Sequence, residues 1–114
     1  MFNSIHHVAI ICSDYKKSKY FYTTILGFTV IAENYREKRK SYKLDLKLPN
    51  GDQLELFSFP QPAKRPSMPE ALGLRHLAFN VDSVENTCDY LVSKGVTVEA
   101  IRIDEFTGKK FTFF

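Results

Sequence analysis

The chain repeats itself, and that repeat limits what it can fold into. His7-Val8-Ala9-Ile10 matches His76-Leu77-Ala78-Phe79, and Gly27-Phe28-Thr29-Val30 matches Gly95-Val96-Thr97-Val98 after a one-residue gap. Each copy reads as strand, helix, strand, so the repeat predicts two versions of one supersecondary unit. In the first copy, Ile5 to Ile11 reads as a strand and Ser13 to Leu26 as a helix. Ser13 or Asp14 can accept the first free N–H groups, and Gly27 suits a left-handed exit. Phe28 to Ile31 reads as a second strand.

Ser41 to Leu48 alternates cleanly, with Tyr42, Leu44, Leu46 and Leu48 on one face and Lys43, Asp45 and Lys47 on the other. Pro49-Asn50-Gly51-Asp52 is a turn in which Asn-Gly supplies the positive φ angles of a tight hairpin. Gln53 to Phe59 is the return strand. Four of the chain's five prolines then fall between Pro60 and Pro69, and no regular element survives that density. The pattern restarts afterwards. Leu74 to Val81 reads as a strand, Asp82 to Lys94 as a helix capped by Asp82 with Glu85 three residues on, and Val96 to Ile103 as a strand. Thr107-Gly108-Lys109 is a turn, and Lys110 to Phe114 opens another strand. A single domain spanning 1–114 is expected, with module one at 1–59, a Pro-rich linker at 60–73 and module two at 74–114. The second module stops where its last hairpin should turn back, so a truncated or partly observed version of a longer protein is expected.

With 114 residues, 44% of them apolar and ten Phe and six Tyr among them, the chain can bury a core of its own. A net charge of +3, scattered except for the Arg36 to Lys43 stretch, argues against a nucleic-acid partner. Within that stretch Arg36, Arg39 and Lys40 read first as a solvated basic loop, with a rim attracting an anionic substrate as the alternative. Cys12 and Cys88 have no metal or disulfide spacing and read as reduced core thiols of a cytoplasmic protein. No apolar run has the length of a membrane span. A small-molecule substrate is the expected partner, with no membrane.

The repeat places His7 and His76 at equivalent points of equivalent strands. His7 shares a face with Ala9 and Ile11, and His76 with Ala78 and Asn80, both away from the side covered by the helix. Glu55 takes the corresponding face of its own strand, because Leu54 and Leu56 take the helix side. Two imidazoles and a carboxylate converging on a cleft make a good first-row divalent metal site with open positions for water or substrate. Taken singly, each is equally compatible with a hydrogen-bonded surface or core residue. His6, on the opposite face, reads as structural.

The segments Ile5-His6-His7-Val8-Ala9-Ile10, Phe21-Tyr22-Thr23-Thr24-Ile25-Leu26-Gly27-Phe28, Gln53-Leu54-Glu55-Leu56-Phe57 and Leu74-Arg75-His76-Leu77-Ala78-Phe79 resemble the vicinal oxygen chelate superfamily, and within it the glyoxalase I (lactoylglutathione lyase) branch. The resemblance implies an α+β fold of two tandem βαβββ modules, the glyoxalase/bleomycin-resistance/dioxygenase fold, whose sheets form a cup around a metal. It implies His7, Glu55 and His76 as ligands of Ni, Zn, Co or Mn, with a fourth ligand on a last strand beyond Phe114. It also implies a lyase acting on the thiol adduct of a 2-oxoaldehyde through an enediolate, with the Glu of that last strand as the base and Glu55 the only local substitute, and a homodimer. Two positions depart from the glutathione-using pattern. Ile11 and Phe59 stand where that pattern has Arg and Asn, which puts glutathione in doubt and suggests a more apolar cleft. Epimerases and thiol transferases share the scaffold, and so do metal-free small-molecule-binding and drug-resistance proteins.

Overall fold

The computed structural model describes residues 1–114 and divides them into two compact units, Met1–Pro66 and Ser67–Phe114. The division falls inside the proline-rich segment. No helix is long and apolar enough to cross a membrane.

The first unit is a four-stranded mixed sheet with one helix. Its elements run β1 (Val8–Ile11), α1 (Tyr15–Tyr20), a π-helical turn (Phe21–Ile25), β2 (Thr29–Arg36), a 3₁₀ turn (Glu37–Arg39), β3 (Ser41–Lys47) and β4 (Gln53–Phe57). The strand order is β1-β4-β3-β2, with β1 parallel to β4 and the other neighbours antiparallel. Asp14 caps α1 by accepting the Lys17 N–H at 3.1 Å. The β3–β4 connection departs from a tight Asn-Gly hairpin. Only Gly51 has a positive φ (95°), and its N–H donates to the Leu48 carbonyl at 3.0 Å. Pro49 occupies the preceding corner with its preset φ, so one left-handed residue closes the turn rather than two.

Alternation along the central strands decides where the core lies. Leu44, Leu46 and Leu56 are fully buried and Leu54 is 4% exposed, all on the face that carries α1, with Cys12 beside them. Each such leucine contributes about 1.5–3 kcal/mol relative to an exposed one. The opposite face carries Lys43, Asp45, Glu55 and Phe57, and its cross-strand pairs are Lys43 with Phe57 and Asp45 with Glu55.

The strand β2 is twice as long as its sequence suggests and carries a bulge. Val30 pairs with Leu46 and Ala32 with Asp45, which leaves Ile31 as an extra residue. Because strand side chains alternate, one inserted residue exchanges the faces of everything after it. Beyond the bulge Glu33 and Tyr35 therefore stand on the helix face, opposite Leu44 and Tyr42. Asn34 and Arg36 stand on the other face, opposite Lys43 and Ser41.

The second unit holds α2 (Val84–Ser93) and a two-stranded antiparallel ladder of β5 (Arg102–Ile103) and β6 (Lys110–Phe111). Ser83, rather than Asp82, caps α2 by accepting the Asn86 N–H at 3.1 Å. Leu91 is the buried residue of the helix. Two expectations are corrected here. Residues 74–81 form no strand, and the expected strand from Val96 to Ile103 is reduced to its last two residues. In the first unit the initial strand is held by its parallel neighbour β4, and the second unit contains no counterpart of β4 to hold residues 74–81.

Candidate functional site

His7 immediately precedes β1 and keeps the phase of Ala9, which pairs with Glu55. Parallel neighbours in register share a face, so both side chains project from the face opposite α1. The structure brings them together, with His7 Nε2 3.0 Å from Glu55 Oε2. Glu55 is 13% exposed and His7 38%. The second carboxylate oxygen, Oε1, lies 3.4 Å from Lys43 Nζ, and Lys43 in turn reaches Asp45 at 2.9 Å. A row His7, Glu55, Lys43, Asp45 thus crosses the sheet. The Asp45 hydrogen bond, with Glu55 assisting, raises the Lys43 ammonium above its ordinary range and keeps it charged.

His6, read from the sequence as structural, lies against His7. Its Nδ1 lies 2.9 Å from Nδ1 of His7, with the two rings edge to face. One of the two nitrogens must donate, and that choice fixes the tautomer of His7. If His6 donates, His7 offers Nε2–H to Glu55. If His7 donates, its Nε2 carries a bare lone pair. The second arrangement is the one a metal ligand needs, its other ring nitrogen oriented by an outer partner.

The pair also fits a metal by distance. At about 2.1 Å from a divalent ion, ligand atoms stand about 3.4 Å apart in a tetrahedral site; at right angles, or in an ordinary N–H···O bond, the separation is about 3.0 Å. That matches the His7–Glu55 separation of 3.0 Å. Lys43 works against a cation, since its ammonium already neutralises one oxygen of Glu55. His76 belongs to the second unit, where it is exposed and stands edge-on to Phe113 with ring centroids 6.2 Å apart. No group of three or more His, Cys, Asp or Glu side chains gathers into a metal cluster. Two of the three expected ligands, both in the first unit, are therefore brought together.

A second cluster lies on the same face. Arg36 lays its guanidinium over Phe57, 4.9 Å from the ring centroid, and 5.6 Å from that of Phe59. Its Nη2 donates to Ser41 Oγ at 2.9 Å, and Ser41 is fully buried beneath it. Arg39 approaches Phe59 at 5.3 Å. Arg36 and Arg39 are therefore not members of a freely solvated loop, and the aromatic pair at 57 and 59 is covered by cations rather than simply apolar. The basic run was visible, but the bulge that turns Arg36 onto this face was not.

A concavity of about 560 Å³ opens elsewhere, on the helix face, lined by Tyr15, Lys19, Glu33 and Tyr42 among others. Two of its charges match each other, while Asp14 and Lys16 also line it and form no ion pair. Lys19 Nζ lies 2.8 Å from Glu33, which also accepts the Tyr15 hydroxyl. Burial and the Glu33 carboxylate push the Tyr15 phenol well up, while Lys19 and then Tyr15 hold Glu33 down. Because Lys19, Tyr15 and Glu33 satisfy one another, the His7–Glu55 pair is the better candidate for chemistry.

The profile of the glyoxalase/bleomycin resistance protein/dioxygenase superfamily matches residues 4–114. The chain belongs to that superfamily. It is 59% identical over 114 residues to the uncharacterized protein YwkD of Bacillus subtilis, covering all of this chain and 89% of that protein. A crystal structure of a glyoxalase family protein from Enterococcus faecalis superposes with a TM-score of 0.92 at 51% identity, covering 99% of this chain and 89% of that one. A mutant of the fosfomycin resistance protein FosX from Listeria monocytogenes, complexed with Mn(II) and dihydroxypropylphosphonic acid, shares the fold alone. It is 16% identical, with a TM-score of 0.71 over 99% of this chain and 85% of that one. The superfamily member described here thus has the α+β glyoxalase fold, with a mixed sheet and few helices.

Proposed function

We propose that this superfamily member is a metal-dependent lyase of the glyoxalase I type, acting on the thiol adduct of a 2-oxoaldehyde. The observation that carries the reading is the 3.0 Å approach of His7 Nε2 to Glu55 Oε2 on the sheet face opposite α1. In this reading His7 and Glu55 hold a divalent cation (Ni, Zn, Co or Mn) together with His76 from the second unit. When bound, the cation supplies Lewis-acid polarisation of two neighbouring substrate oxygens. The Mn(II) in the FosX complex is a property of that protein and supports a divalent ion here by analogy of fold.

The chain's own residues do the rest. Glu55 accepts the proton lost from the substrate carbon and returns it to the adjacent one, which requires a carboxylate within reach of both positions. Lys43 stands 3.4 Å from Glu55 and stabilises negative charge developing nearby. His6 sets the tautomer of His7. Phe57 and Phe59 line the face beyond Glu55. The same reading includes a homodimer in the cytoplasm, and thiols other than glutathione as partners of the oxoaldehyde.

A competing reading, a metal-free small-molecule-binding protein, is favoured by one observation: the ammonium of Lys43 already neutralises Glu55. An epimerase or thiol transferase would use the same groups on another substrate. Metal content of the purified protein, compared with a His7→Ala, His76→Ala double variant, separates the first two. Near-stoichiometric metal in the wild type that is lost in the variant, with isomerisation of hemithioacetals made from several thiols, is the expected result. A protein that binds no divalent metal after reconstitution removes the lyase reading and leaves the binding protein in front.

A further inference from the structure

Arg36 is a partly buried cation for which the chain provides no anion. None of the ion pairs includes it. The carboxylates nearest in register on its face are already engaged, Glu55 with His7 and Lys43, Asp45 with Lys43. Its Nε is enclosed and meets no acceptor, while Nη2 spends one proton on Ser41 Oγ. A planar guanidinium held flat by two aromatic rings and a buried hydroxyl has lost its freedom to seek a partner. Cation–π contact offsets part of the desolvation but does not neutralise the charge. Arg39, resting on the same Phe59 ring, adds a second positive charge.

The position of this cation matters as much as its charge. Phe57, under the guanidinium, is the next same-face residue after Glu55 on β4, and same-face neighbours on a strand are about 7 Å apart. The bulge at Ile31 is what delivers Arg36 there. In an unbulged register it would emerge on the helix face, opposite Lys40 and beyond Tyr42.

We propose that Arg36 is the anchor for an anionic group of the ligand, a carboxylate or a phosphate-type oxyanion carried beside the reacting centre at Glu55. The anchor rests on the reading of the His7–Glu55 face as the reaction site. The outer edge of the guanidinium presents its remaining N–H groups as a fork suited to two oxygens of one anion, and Phe57 and Phe59 fix the plane of that fork. Arg39 strengthens the local field without a fork of its own in place. Ligands lacking the anion are then discriminated against at this position rather than at the metal.

The test is a ¹H–¹⁵N chemical-shift titration of the full chain in EDTA, at constant ionic strength, with inorganic phosphate and, separately, acetate. Removing metal keeps the probe from binding through a cation, so failure of the metal reading leaves this measurement untouched. The anchor predicts saturable shifts at Phe57, Phe59 and Ser41, weakened about tenfold or more in Arg36→Gln. Lys38→Gln, an equal loss of charge at an exposed neighbour, should leave the affinity within about twofold. Preference for phosphate or for acetate identifies which source of oxyanion the site takes, and either supports the anchor. Unchanged affinity in Arg36→Gln, or an equal loss in Lys38→Gln, overturns it. Should Arg36→Gln lose its dispersed spectrum, Arg36→Lys decides. It keeps the charge and removes the fork, so undiminished phosphate binding overturns the proposal. Normal metal content beside an unaltered anion titration would refute the anchor alone.

Discussion

Replacing Glu55 by Gln separates a ligand from a structural ion-pair partner. The substitution keeps the length of the side chain and removes its charge. In the metal-free protein the losses are one contact with His7 at 3.0 Å and one ion pair with Lys43 at 3.4 Å. His7 is 38% exposed and Lys43 32%, and Lys43 keeps Asp45 at 2.9 Å. Partly exposed pairs of this kind are each worth about 0.2–1 kcal/mol, and an amide still hydrogen-bonds to the imidazole. The folding cost of Glu55→Gln should therefore stay near 1 kcal/mol, about what the two pairs contribute together.

Metal affinity should respond much more strongly. Loss of an outer-shell partner alone typically costs about 10- to 100-fold, and loss of a directly bound carboxylate should exceed that. Lys43 sharpens the effect, because its ammonium would face the cation without an intervening negative charge. Two assays read the split. Urea denaturation of EDTA-treated protein gives the folding term, followed by circular dichroism because the chain has no Trp. Chelator competition with Ni(II), Zn(II), Co(II) and Mn(II) gives the metal term. A variant with metal affinity within about threefold of wild type, yet destabilised by more than about 2 kcal/mol, would refute the reasoning and make Glu55 a structural partner of Lys43 and His7.

Other consequences follow from the same geometry. Leu56→Ala, at a fully buried position between β1 and β3, should destabilise the protein by about 3 kcal/mol in urea denaturation while leaving metal affinity unchanged. Burial raises the thiol of Cys12, so iodoacetamide should label the half-buried Cys88 first in the native protein, as mapped by peptide mass spectrometry. Glu33 is held below the ordinary carboxylate range by Lys19 and then Tyr15. Its contribution to stability is therefore complete above about pH 4.3 and is lost as the pH falls through the lowered value. Acid denaturation of Glu33→Gln should show a shallower dependence over that window.

The parts of the fold that follow from local periodicity were legible in the chain. The alternation of Tyr42, Leu44 and Leu46 with Lys43 and Asp45 specifies both β3 and its buried face, and Leu54 and Leu56 do the same for β4. The placement of Glu55 follows directly from that alternation, and its approach to His7 follows from the parallel pairing of β1 with β4. The bulge in β2 was not legible, because Thr29 to Arg36 mixes apolar and polar residues without a clean period of two. Missing it hid the extension of that strand and the face on which Arg36 emerges. The strands expected at 74–81 and 96–103 failed for a different reason. A strand's sequence records its preference for a pleated surface, but its existence depends on a neighbour. Residues 74–81 carry the pattern of β1 and lack the strand that corresponds to β4. The approach of His6 to His7 carried no signal in residue spacing, since adjacent strand residues point to opposite faces.

One inserted residue sorts the charges of this sheet between two tasks. Before the bulge, β2 and β3 follow an ordinary register in which Val30 lies opposite Leu46. After it, Glu33 turns toward Lys19 and Tyr15 on the helix face, where its charge is matched within the chain. The same step sends Arg36 to the face of Glu55, where the remaining carboxylates already have partners. An unbulged β2 would reverse both placements: Glu33 would stand opposite Lys43 on the face of Glu55 and Asp45, and Arg36 would stand on the helix face opposite Lys40, beyond Tyr42. Glu33 would then compete with Asp45 and Glu55 for the ammonium of Lys43, and Lys19 would lose its partner. Register thus decides the charge pairing as well as the apolar faces, and the bulged arrangement is the one that leaves an unmatched cation on the face of the His7–Glu55 pair.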